Sequence, residues 1–128
     1  MKSVLLNKKN DLFAKAADCY FAADTFDPMT SDLEVIECQH NVNQSVWGDF
    51  KKIRDNGSEL KDIFSKIDVP VINIHGTYDP HIIEGIQPFL ESCIRNTQLF
   101  ILDKCGHYPW IEREAKYRFF EIIRENIG

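Results

Sequence analysis

The chain is 128 residues long, 44% hydrophobic and 27% charged, the size and composition of one ordinary globular domain. Its 15 Lys and Arg against 20 Asp and Glu leave a net charge of -5, and the cations are scattered rather than striped, which argues against nucleic acid as a partner. No apolar run approaches the roughly 18 residues of a membrane helix, and MKSVLLNKKND has too short an apolar run for a secretory signal, so no membrane is expected and the cytoplasm is the expected compartment. Cys19, Cys38, Cys93 and Cys105 form no C-x-x-C pair and read as reduced structural thiols.

In chain order, residues 1–65 carry only helical periodicity. Asn10 or Asp11 can cap a first helix whose apolar positions are Phe13, Ala16, Ala17, Tyr20 and Phe21. TFDPMTSD interrupts it, and a second helix is expected from Ser31 or Asp32 through Leu33, Val35 and Ile36. A third uses Val42, Val46, Phe50 and Ile53, with Gly57 as its C-terminal stop. A fourth, Ser58 to about Lys66, buries Leu60, Ile63 and Phe64.

Over residues 66–128 the pattern changes to strands alternating with helices. VPVINIH is a β-branched run with Pro70 at its start, where a strand tolerates proline. Pro88 suits the first turn of a helix PFLESCIRN, with Phe89, Leu90, Cys93 and Ile94 on one face. TQLFILDKC is a second strand. A last helix, from about Ile111 to Ile127, repeats apolar residues at Ala115, Phe119, Ile122, Ile123 and Ile127. The predicted fold class is α/β, a parallel β-α-β-α unit preceded by a helical region.

Strands joined by a helical crossover run parallel, so both open onto the same rim of the sheet. Asp79 and His107 each follow such a strand end. On neighbouring strands about 4.8 Å apart, a carboxylate and an imidazole there can meet, and the carboxylate then orients the imidazole as a general base. Gly76 and Gly106 fit strands that turn sharply into functional loops. His81 is expected at the mouth of the pocket. Trp110 is read either as a pocket wall or as a packing aromatic, and Trp47 as helix packing.

PVINIHGTYDPHIIEG together with LFILDKCGHYPWIEREAKYRFFEII resembles the C-terminal end of an α/β-hydrolase, in the esterase or proline-iminopeptidase-like subgroup. The resemblance implies Asp79 as triad acid and His107 as triad histidine, with residues 66–128 as part of the hydrolase core. It implies residues 1–65 as a cap, by position and character. The family's nucleophile motif G-x-S-x-G is absent: Ser3, Ser31, Ser45, Ser58, Ser65 and Ser92 all lack the flanking glycines. The resemblance thus implies a serine hydrolase of esters or amides that is inactive as this chain alone and needs an N-terminal hydrolase segment for its serine and oxyanion hole.

His75, Asp79, His81, Cys105 and His107 are also metal-ligand types, but their spacings match no usual zinc pattern, so neither metal nor other cofactor is expected. Cys105 as a nucleophile is disfavoured because it and His107 flank a glycine turn. The alternative function is a non-catalytic module that binds a partner or itself. A two-stranded parallel sheet is marginal and leaves bare edges, so homo-oligomerisation, domain swapping or cover by the first-half helices is expected.

Overall fold

A computed structural model of the chain describes residues 2–30 and 39–127, with side chains from residue 7 onward. Its elements are α1 (Lys2–Asp24), α2 (His40–Asp55), α3 (Gly57–Phe64), β1 (Val71–Gly76), α4 (Ile83–Cys93), β2 (Thr97–Leu102) and α5 (Ala115–Ile127). The fold is mixed α/β. Among the described residues no helix is long and apolar enough to cross a membrane. The helix expected from Ser31 or Asp32, and Cys38, lie outside the described residues.

In the first half, α1 runs straight through Asn10 and Asp11. Asn10 caps a different helix: its Oδ1 accepts the His40 N–H at 3.1 Å, serving one of the donors that the start of α2 leaves without an intrahelical partner. The Phe13 and His40 rings meet edge-to-face beside it at 5.8 Å. Gly57 opens α3 instead of stopping α2, and no glycine among the described residues has positive φ. The break falls on Asn56 (φ -91°, ψ 80°), whose N–H still bonds Lys52 O at 3.2 Å while its carbonyl accepts from Glu59 at 3.0 Å, so one helix ends where the next begins. The stripe expected on α2 is helical, but Val42, Val46 and Phe50 are exposed and only Ile53 of it is half-buried, alongside His40, Asn43 and Gly48. Phe64 of α3 meets Phe89 of α4 edge-to-face at 5.6 Å and joins the two halves.

In the second half, β1 and β2 pair in parallel from Val71↔Thr97 to Gly76↔Leu102. The pairing continues past the strands, with Thr77 N–H donating to Leu102 O at 2.9 Å and Tyr78 N–H to Cys105 O at 2.8 Å. These bonds carry both strand exits to one rim. Helix α4 begins five residues before Pro88, which therefore sits inside it. The partly or fully buried row Ile83, Gln87, Leu90 and Ile94 recurs at helical spacing, and burying it outweighs the one backbone bond that proline removes. The core consists of Leu102, Cys105, Ala115 and Ile122, with Ile72, Ile74, Phe100 and Phe119 packed against them. Helix α5 starts at Ala115 rather than near Ile111, since residues 109–114 are turns and a bridge that tie the chain elsewhere.

That tie is the segment after α1. Pro28 bridges Glu112 antiparallel, Met29 N–H donates to Ile111 O at 2.9 Å, and Arg113 N–H donates to Asp27 O at 3.0 Å. Gly76 and Gly106 are needed here for space rather than for turning: a Cβ on Gly76 would run into the carbonyl of Cys105, and one on Gly106 into the carbonyl of Asp24. Three backbone segments pass closer there than any side chain allows.

Candidate active site

Asp79 and His107 come together as their strands suggest. Asp79 lies in the loop after β1, its side chain only 6% exposed, and His107 follows β2 with its ring 44% exposed. Asp79 Oδ2 stands 2.7 Å from His107 Nδ1. The other carboxylate oxygen is used twice by His81: it accepts the backbone N–H at 2.9 Å, closing a turn around Pro80, and meets the ring Nδ1 at 2.8 Å. An ionised carboxylate only accepts, so each ring carries its hydrogen on Nδ1 and presents Nε2 as a lone pair. Burial pushes the Asp79 carboxyl up, but the bonds from His107 and from the His81 backbone and ring outweigh it and hold it below its ordinary value. The two rings lie 4.6 Å apart at 36°.

His75, in β1 as expected, is buried with Nδ1 3.8 Å from Asp79 Oδ2, a neighbour of the carboxylate without a hydrogen bond to it. A cavity of about 270 Å³ opens beside these groups, lined by His75, Asp79, His81, Gly106, His107 and Pro109 among others. A second, about 830 Å³, lies along α1 and α2 and is walled by Phe13, Tyr20 and Trp47; His81 and Tyr108 border it on the site's side. Trp47 therefore faces open space as well as packing edge-to-face on Phe50 at 5.6 Å. His81 lines both cavities. Trp110 lines neither cavity; its half-exposed ring meets Tyr108 edge-to-face (5.7 Å) and Phe119 at a tilt (6.0 Å). Cys105 is fully buried, and burial with the nearby Glu112 and Asp79 charges pushes its thiol up to about 12, which leaves it protonated and a poor nucleophile.

Two residues shape the site without having drawn notice in the sequence. Glu112 is 0% exposed, and its carboxylate accepts Phe26 N–H (2.7 Å) and Gly106 N–H (3.0 Å) on Oε1 and Asp27 N–H (2.7 Å) on Oε2. It locks the exit of α1 to the loop that carries His107, whose own N–H donates to Asp24 O at 2.6 Å. Tyr108 packs between Phe21 (5.6 Å) and His107 (5.3 Å), bracing the imidazole from the α1 side. In sequence Glu112 reads as an ordinary acid near a helix start, and nothing local marks its partners more than 80 residues away.

No family model matches this chain, and neither a curated protein nor a solved structure matches it.

Proposed function

We propose that this chain carries the acid and base of a serine hydrolase of α/β-hydrolase type, acting on a small ester or amide, with residues 1–65 as cap and residues 66–128 as core. The observation that carries the reading is the 2.7 Å contact between Asp79 Oδ2 and His107 Nδ1, made across two loops that leave neighbouring parallel strands on the same rim. Asp79 holds the hydrogen on Nδ1, so Nε2 of His107 accepts the proton of an attacking serine and later returns it to the leaving group. The buried carboxylate stabilises the imidazolium formed in between. Serine and oxyanion hole come from a segment bearing G-x-S-x-G, which is the partner this reading requires. The reaction itself needs no cofactor. The thiols of Cys19, Cys93 and Cys105 are all free, which fits a reducing cytoplasm.

A second reading is favoured by one observation. The exposed Val42, Val46 and Phe50 stripe of α2, together with sheet edges that have no strand partner among the described residues, suits a module that binds a second copy of itself. The two readings part under a fluorophosphonate serine probe. The hydrolase expectation is no labelling of the chain alone, labelling of the added elbow segment in the mixture, and loss of that labelling with His107→Ala. Absence of labelling in the mixture, with a stable oligomer by light scattering, leaves the self-binding module.

A further inference from the structure

We propose that Asp79, His81 and His107 form a binding site for a divalent first-row transition metal ion, supplying one carboxylate oxygen and one nitrogen from each imidazole. The three donor atoms lie within 4.8 Å of one another. Ligands bound to zinc at about 2.0–2.2 Å stand roughly 3.4 Å apart in a tetrahedron, so admitting an ion means that the 2.8 and 2.7 Å contacts to the carboxylate open while any longer separation shortens, each by about an ångström. Both rings can make that movement. The His81 and His107 side chains are 58% and 44% exposed, and neither belongs to the buried core cluster that a change of rotamer would disturb.

The spacing along the chain hides this site. His81 and Asp79 come from the loop after β1 and His107 from the loop after β2, so no single run of sequence contains a ligand pattern. What joins them is the shared carboxylate, which already gathers both imidazoles with one oxygen for each ring, at 2.8 and 2.7 Å. Two imidazoles and one carboxylate suit zinc, iron(II), cobalt or nickel, whereas calcium and magnesium favour all-oxygen sets. To bind through the nitrogen that now faces Asp79, each neutral imidazole gives up the Nδ1 hydrogen it donates to the carboxylate and carries its one hydrogen on Nε2 instead.

The features around the donors fit an ion as well. His75 is buried 3.8 Å from Asp79 Oδ2 without a hydrogen bond to it and stays outside the ligand set. Three protein ligands leave coordination positions free, and these face the cavity of about 270 Å³, which is both the entry path and room for water. The Cys105 sulfur takes no part: it is fully buried and bonds Gly106 O at 3.3 Å. An ion held here withdraws His107 from proton transfer, so in the proposed hydrolase it acts as an inhibitor.

The inference stands on the three side chains, and its test requires no turnover, so failure of the hydrolase reading leaves it intact. Metal-stripped protein is titrated with Zn²⁺ by calorimetry, and with Co²⁺ while its visible absorption is followed. The expected result is saturable uptake of one ion per chain with a Co²⁺ ligand-field band. Losing an outer partner alone costs 10- to 100-fold in metal affinity, so His81→Gln and His107→Gln should each weaken binding about tenfold or more. Cys19→Ser should leave it unchanged. Both histidines are exposed, and circular dichroism verifies that the variants remain folded. No saturable uptake by the wild type, or uptake that His81→Gln does not weaken, overturns the proposal.

Discussion

Asp79 has three jobs at once: it closes the turn around Pro80 through the His81 N–H, it orients His107, and it binds the His81 ring. In the proposed hydrolase, Asp79→Asn presents a donor to a ring nitrogen that needs an acceptor and removes the charge that stabilises the imidazolium. Probe labelling of the complemented protein should slow by a factor on the order of 10⁴ while the fold survives. The pH dependence has a definite sign. A carboxyl held below its ordinary value stabilises the fold above the ordinary carboxylate range, and that contribution disappears as pH falls through the lowered value. Acid denaturation should therefore show a component that Asp79→Asn lacks, and identical acid profiles would argue against these bonds.

Glu112 is the residue whose loss should be felt furthest. Gln keeps one acceptor oxygen but turns an amide N–H₂ toward a backbone N–H, leaving a buried donor such as that of Asp27 without a partner. The expected cost of Glu112→Gln is about 1–3 kcal/mol in denaturant unfolding. His107 should lose its fixed position at the same time, because Gly106 hangs on the same carboxylate. An unchanged unfolding midpoint would show that the clasp contributes little.

At the scale of the element, α4 shows two local rules in conflict. Pro88 argues for a helix start, yet the helix begins at Ile83 because the half-buried faces of Ile83 and Gln87 are recovered only by extending it backward. The proline removes the N–H that would serve the carbonyl of Glu84, four residues earlier. An interior proline costs about 3 kcal/mol relative to alanine, and its restraint of the unfolded chain returns about 0.4–1 kcal/mol. Pro88→Ala should thus stabilise the protein by about 2 kcal/mol, read as a higher denaturation midpoint. Destabilisation would mean that the ring itself packs usefully. The α2–α3 junction follows the same logic: Asn56 breaks the helix by its own dihedrals, and Gly57, free to enter the left-handed region, stays helical because no bond there asks for it to turn.

At the scale of the whole molecule, the two strands and one modest core among the described residues are a thin foundation. The first half joins it through contacts that include Phe64 on Phe89, Phe21 on Tyr108 and the Glu112 clasp, while Val42, Val46 and Phe50 of α2 stay exposed. Such a stripe, together with sheet edges that have no strand partner among the described residues, should drive association, and light scattering is expected to show concentration-dependent oligomers. Val46 is 62% exposed in the middle of the stripe, so Val46→Asp should cost no stability but weaken association. Each 1.4 kcal/mol lost at the interface is a factor of ten, and about tenfold is the expected shift in the dissociation constant. A wild type that stays monomeric at high concentration would remove this expectation together with the self-binding reading.

Taken alone, the sequence determined the α/β class, the two strands and most of the helices. These follow from periodicity and β-branching, which are local properties of the chain. It also pointed to Asp79 and His107, because topology alone carries two parallel strand ends to one rim. Only the tertiary structure decided that His81 shares the Asp79 carboxylate, that Glu112 clasps the α1 exit to the His107 loop, that Gly76 and Gly106 are required by close backbone passage, and that Trp110 packs outside the cavities. Each of those depends on which distant backbone donors, carbonyls or rings come within a few ångströms. Hydrogen bonding and exclusion act over that range alone, and no one-dimensional pattern records it.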